Sequence, residues 1–213
     1  MKTMKLFLVV AFCAMSLHVA AQGTVNPEVT AKASKMARKA AKDFKKEGWQ
    51  VSPGAPPLEK QLDRAYAMEY DMDDDLNPKY IVGEGRSIGE NYDAAKMQAI
   101  EVARQQIAGK ISSQATALVD NLMANKQLPS EQATSISTMM QKTKTIFSQK
   151  LGRVQTIVEA YRVLGNKNKE VLVRLVTKES EVQKIAKGAI REEMEKQGVK
   201  MTKELDALLT NAK

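Results

Sequence analysis

Apolar residues along this chain follow two periods, 3.6 and 2, and the elements are read from where one gives way to the other. Between positions 29 and 47, Val29, Ala33, Met36, Ala37, Ala40 and Phe44 recur at helical spacing among lysines and arginines, which predicts a basic amphipathic helix. The stretch "GWQVSPGAPP" at 48–57 breaks it. Leu58, Leu62, Tyr66 and Tyr70 then recur every four residues and predict a second helix over 58–71. A short strand is expected over 80–85. From 93 to about 126 follows a long alanine-rich helix with the apolar stripe Met97, Ile100, Ile107, Ile111, Leu118 and Leu122. Pro129 begins a further helix that Ser130 can cap, with Ile136, Met140 and Phe147 on its buried face. Residues 154–164 and 171–177 are β-branched strands joined by "GNKNK", a hairpin signal. Val182, Ile185, Ala189 and Ile190 mark a helix up to Gly198, and Leu205, Leu208 and Leu209 a last short one.

This order is that of an α+β fold: a small antiparallel sheet in β-α-β-β-α order, covered by long helices on one face, with an N-terminal helical extension. The expected division is a signal peptide at 1–21, a peripheral helical extension at 22–77, the α+β domain at 78–198 and a C-terminal short helix at 199–213. Within the first segment, Lys2 and Lys5 precede an almost wholly apolar run from Leu6 to Val19, and Val19, Ala20 and Ala21 supply the small residues of a cleavage site. The run is short of the roughly 20 residues a membrane span needs. Cleavage after Ala21 is the expectation, with lipidation at Cys13 the competing one.

Cleavage changes the chemistry available. It removes the only cysteine, Cys13, and the only histidine, His18, and lowers the formal net charge from +8 to +6. A chain with neither residue has no thiol nucleophile, no Ser-His-Asp relay and no zinc site built on His or Cys. Its fold rests on packing without disulfides. The charge is too mild and mixed to announce nucleic acid, whereas attraction to anionic lipid or envelope polymers stays open. Charge is also unevenly placed. Lys32, Lys35, Arg38, Lys39, Lys42, Lys45 and Lys46 crowd the first helix, and acids crowd 59–75, so that the two segments are candidates to face one another.

Three patterns invite a specific chemistry. Asp71, Asp73 and Asp75 match the first ligands of a calcium loop, but Leu76 stands where a glycine is needed and Val82 where a bidentate glutamate is needed, so an acidic turn is expected. Gly83, Gly85 and Gly89 give GxGxxxG, one residue too long for a dinucleotide turn, and no lysine follows as in a P-loop. The expected roles are a bend or bulge at Gly83 and Gly85, a loop at Gly89 and a helix cap at Asn91 or Asp93. Gly83, Gly85, Arg86 and Gly89 remain a candidate anion-holding turn at the helix start. Asp73, Asp74, Asp75, Glu84 and Glu90 are the carboxylates nearest to a glycosidase-like set, which needs burial to raise one pKa. No catalytic residue, metal ligand or cofactor motif is assigned.

The segments "YIVGEGRS", "AAKMQAIEVARQQIAGKISSQ", "GRVQTIVEAYRVL" and "KEVLVRLV", followed by a closing helix, together resemble the twenty-kilodalton bacterial membrane-associated lipoprotein family and its envelope relatives over about 78–198. The resemblance implies a dodecin-like β-α-β-β-α core and an exported envelope protein. The family's lipidated cysteine has no good counterpart here, and no catalytic residue is carried over.

The functional expectation is a non-enzymatic binding or structural module of the periplasm or outer membrane. Its candidate binding surfaces are the basic helix through Lys35, Arg38, Lys39, Lys42, Lys45 and Lys46, the hairpin strands, and the aromatics Trp49, Tyr66, Tyr70 and Tyr161, most of which are assigned to the core. The alternatives are a membrane-surface protein using the basic helix as an interfacial element and a carboxylate-only hydrolase. Expected partners are a protein, an envelope polymer or an anionic membrane surface, with self-association through an open sheet edge. Nucleic acid is not expected.

Overall fold

The computed structural model describes residues 27–126, 128–142, 144–152, 154–200 and 203–211; the expected signal peptide and Cys13 lie outside them. In chain order the elements are α1 (Pro27–Lys46), α2 (Leu58–Glu69), β1 (Tyr80–Gly89), α3 (Tyr92–Ala124), α4 (Ser130–Lys142), α5 (Lys144–Lys150), β2 (Gln155–Val163), β3 (Lys169–Lys178), α6 (Glu179–Lys196) and α7 (Lys203–Asn211). The fold is α+β. The three strands form one antiparallel sheet in the order β1-β3-β2, so the hairpin strand β3 is central and β1 pairs with it across α3, α4 and α5.

Both faces of the sheet are covered, not one. Ile81 on β1 and Val171, Val173 and Leu175 on β3 pack with α3, α4, α5, α6 and α7 into the larger core. On the other face Leu172 and Val176 of β3 meet Val158 and Ala160 of β2, Ala37 of α1, Leu62 and Ala65 of α2, and Trp49. A shift of register between Thr156 and Val158 helps β2 supply both Ile157 and Val158 to this second core. The N-terminal helices are therefore not peripheral. Fully buried Leu62 alone contributes about 1.5–3 kcal/mol by removal from water.

The glycines explain how α3 lies against the sheet. β1 runs unbroken from Tyr80 through Gly83, Gly85 and Arg86 to Gly89, pairing residue for residue with β3, so the expected bend at Gly83 and Gly85 is absent and the four residues of the candidate anion-holding turn, Gly89 included, lie on a strand. A Cβ on Gly85 would stand 1.9 Å from the carbonyl oxygen of Ala99, and one on Gly83 would stand 2.4 Å from that of Ala103. The strand thus presents bare backbone to Ala95, Ala99 and Ala103, all fully buried at four-residue spacing on α3. Met97, expected on the apolar stripe, is 72% exposed because the small residues occupy the face that meets β1. Asn91 caps α3, its Oδ1 accepting from the Ala94 N–H at 2.9 Å.

The start of α3 is tied to β2 by polar contacts. The Tyr92 hydroxyl donates to Glu159, Lys96 Nζ lies 2.9 Å from the same carboxylate, and Ser52 Oγ donates to the Tyr92 hydroxyl at 2.9 Å. Burial and the hydrogen bond to Glu159 hold the Tyr92 hydroxyl pKa above its ordinary value. The Glu159 hydrogen bond, acting against burial, raises that of Lys96.

Candidate functional site

The cationic residues of the candidate binding surface, Lys35, Arg38, Lys39, Lys42, Lys45 and Lys46, all lie on α1 and all reach solvent. At 100° per residue, Lys32, Lys35, Lys39, Lys42 and Lys46 share one face, with Arg38 and Lys45 at its border. The row is about 21 Å long at 1.5 Å of rise per residue. The opposite face is consumed by packing: Ala33 and Ala37 are fully buried, and Ala40, Ala41 and Phe44 are partly buried against the second core. The expected meeting of the basic helix with the acidic segment occurs at its border. Arg38 lies 4.0 Å from Glu59, and Ser34 Oγ donates to Asp63 at 2.6 Å. Lys46 pairs with Asp43 within the helix at 3.4 Å. Pairing at the α2 border leaves the outer row turned to solvent. Lys32 belongs to this row although the sequence reading placed the candidate surface at 35–46; its spacing of three from Lys35 was the available signal.

The aromatics divide as their neighbours dictate. Trp49 is buried beneath two guanidinium groups, with Arg162 at 4.9 Å and Arg86 at 5.7 Å from its ring centre, and its indole N–H donates to Glu47 at 3.2 Å. Arg86, named as part of an anion turn, instead lies on the strand with its Nε 3.1 Å from Glu84. Tyr66 and Tyr161 are partly buried beside the second and first cores respectively, and Tyr70 is exposed at the end of α2.

The carboxylates are not assembled into one site. Asp73 organises the turn before β1: its Oδ1 accepts from the backbone N–H groups of Asp75 and Asn77 at 3.0 and 2.8 Å. Asp71 pairs with Lys79 at 2.9 Å, and that hydrogen bond raises the Lys79 pKa. Leu76 takes the left-handed conformation within this turn at φ 62°. Glu84 stands mid-strand on β1 and Glu90 lies in the loop before α3. Among the described residues no group of three acids, histidines or cysteines is placed to hold a metal ion, and no helix is long and apolar enough to cross a membrane.

No protein-family model, curated protein or solved structure matches the chain.

Both outer edges of the sheet carry side-chain caps. On β1 the Glu84 N–H donates to Gln106 Oε1 at 2.9 Å and Lys110 Nζ donates to the Val82 carbonyl at 2.9 Å. On β2 the Glu159 N–H donates to Gln61 Oε1 at 2.7 Å, and Gln50 bridges Tyr161 through two backbone hydrogen bonds. Self-pairing of an open edge, the expected route to a homo-oligomer, meets these obstacles on both sides. Sequence did not reveal them, because Gln61 and Gln106 are distant from the strands they cap.

Proposed function

We propose that this protein is a non-enzymatic module of the cell envelope that attaches to an anionic membrane surface through the outer row of lysines on α1. The observation that carries the reading is the one-sided use of that helix: its apolar side is spent on the protein's own core and its cationic side faces outward. Attachment is therefore electrostatic. An interfacial helix that inserts its apolar face would have to leave α2 and expose Ala33 and Ala37. Each lysine near an anionic surface contributes about 1 kcal/mol, so the row suffices for reversible docking at moderate salt even with Lys46 offset by Asp43. Export is part of the proposal; the apolar run after Lys2 and Lys5 and the resemblance to envelope lipoproteins support it.

The test is co-sedimentation with vesicles of phosphatidylglycerol and of phosphatidylcholine across a salt series. Binding to the anionic vesicles alone is expected. It should weaken as the screening length falls from about 10 Å at 0.1 M to about 3 Å at 1 M salt, and it should disappear in a Lys35→Glu, Lys39→Glu, Lys42→Glu variant whose thermal unfolding is unchanged. Equal binding to both vesicles, or to neither, would overturn the reading. Intact mass measurement of the protein from fractionated cells tests export: a species beginning at Gln22 is expected.

A further inference from the structure

Two adjoining cavities flank the segment preceding β1, the inner one between that segment, α3 and α6, and the outer one between it, the end of β3 and the start of α6. The inner one holds about 230 Å³ and the outer about 420 Å³. They share Asn77, Pro78, Glu179 and Gln183, so they form a single groove. Its combined size reaches the range of small-molecule sites. None of its lining residues belongs to α1.

The inner cavity has an apolar floor of Ile81 from β1, Leu118 from α3 and Ala186 from α6. Its walls carry the carboxamides of Asn77, Gln114, Asn121 and Gln183. The full charges lining it are Glu179 and Lys187, one of each sign and both on α6; the outer cavity adds Asp73 and Lys178, again one of each sign, and Lys79, which is paired with Asp71. Lys187 donates to the Thr210 carbonyl at 2.9 Å, and burial, followed by the nearby Arg191, lowers its pKa.

Buried polar atoms in folded proteins are almost always bonded, and each exception needs a reason. Among the described residues three buried side-chain atoms lack a partner, and two of them, Gln114 Oε1 and Glu179 Oε2, belong to residues lining this cavity. The two side chains are held to each other through Gln114 Nε2, which donates to Glu179 Oε1 at 2.6 Å. What stays unmet at both is acceptance of a proton donor.

The chemistry of the walls selects the ligand. A cation would gain Glu179 and meet Lys187; an anion would gain Lys187 and meet Glu179. Carboxamides, each offering donors and an acceptor, are matched by hydroxyl groups, which also do both. Apolar side chains beneath them suit the C–H face of a ring. We propose that this groove binds a neutral saccharide, with the Gln114 and Glu179 side chains turning to present their unmet oxygens to donating hydroxyl groups, hydroxyl oxygens accepting from Gln183 and Lys187, and the ring lying over Leu118 and Ile81.

The experiment is a titration of the ¹⁵N-labelled full chain, followed by amide resonances, with glucose and with N-acetylglucosamine as probes and with butylammonium and butyrate as charged comparisons. Saturable shifts at Ile81, Leu118, Glu179 and Gln183 are expected with at least one sugar, with a dissociation constant of about 1 mM or tighter. They should be lost in Ala117→Trp, which fills the rim from the exposed side of α3, and weakened several-fold in Gln183→Ala. Both variants should keep the wild-type circular dichroism spectrum. The absence of saturation with either sugar, tighter binding of a charged probe, or shifts that survive Ala117→Trp would each overturn the proposal. The α1 triple-glutamate variant should bind sugar normally, so this inference and the membrane-docking reading fail separately.

Discussion

Glu84 on β1 and Arg174 on β3 stand directly opposite one another in the sheet, and Arg174 Nε lies 2.7 Å from Glu84 Oε2. The pair sits on the face covered by α2, where the guanidinium lies 5.7 Å from the Tyr66 ring centre and its side chain is 17% exposed. Burial works to lower the Arg174 pKa, and the Glu84 hydrogen bond and charge outweigh it, leaving the value raised. Glu84 is accordingly bound to a cation across the sheet and to Arg86 beside it, and not to a second carboxylate.

Removing one partner leaves the other charge uncompensated in a partly buried setting. Glu84→Ala should cost about 2–3 kcal/mol, below the 3–5 kcal/mol of a fully buried pair because both groups keep some solvent. Replacing both as Glu84→Ala, Arg174→Met should recover part of the loss. Urea unfolding of the two singles and the double gives the coupling directly; strict additivity would mean that the pair does not act as one.

The contact between β1 and α3 makes a steep prediction for Gly85, and the open flank of α3 makes the opposite one for Gly109. Gly85→Ala drives a methyl group into the Ala99 carbonyl and should cost about 3 kcal/mol or more, at the upper end of overpacking effects. Gly109 lies within α3 with nothing within 4 Å of an added Cβ, so Gly109→Ala should stabilise by about 0.5–1 kcal/mol through helix propensity. Denaturant midpoints of the two variants must move in opposite directions.

Alkaline pH should loosen the junction of α3 and β2. Tyr92 and Lys96 both have folded pKa values above their ordinary ones, so each contributes stability that is fully present below the unfolded values near about 10. That stability is lost as pH rises through the raised folded values. Unfolding free energy should be level from neutral pH to about 9 and fall above about 10. Tyr92→Phe should be less stable at neutral pH by about 1 kcal/mol and show a shallower alkaline decline. Parallel curves for wild type and variant would remove Tyr92 from the account.

The caps on β1 predict a change in association. Gln106→Ala with Lys110→Ala frees the Glu84 N–H and Val82 carbonyl at the sheet edge and offers them to another chain. Sedimentation velocity should show concentration-dependent self-association of the double variant beyond that of the wild type. An unchanged distribution would show that these two side chains do not guard the edge.

Local pattern alone determined a good deal about this protein. The helical period through Leu58, Leu62 and Tyr66, the β-branched runs flanking "GNKNK" and the Asn91 cap each report on neighbours a few residues away, so they specify elements and the hairpin without knowledge of the fold. The near-continuous apolar run "VLVRLV" in β3 also carried a sign of burial on both faces, which the element order by itself did not disclose. Tertiary structure decided what each apolar face meets. It set Gly83 and Gly85 against Ala103 and Ala99, used the alanine side of α1 for the core, and brought Gln114 and Glu179, 65 positions apart, to one cavity. The physical reason is that periodicity records that a face is buried, whereas the partner that buries it, and the polar groups gathered at its margin, depend on packing between residues far apart in the chain.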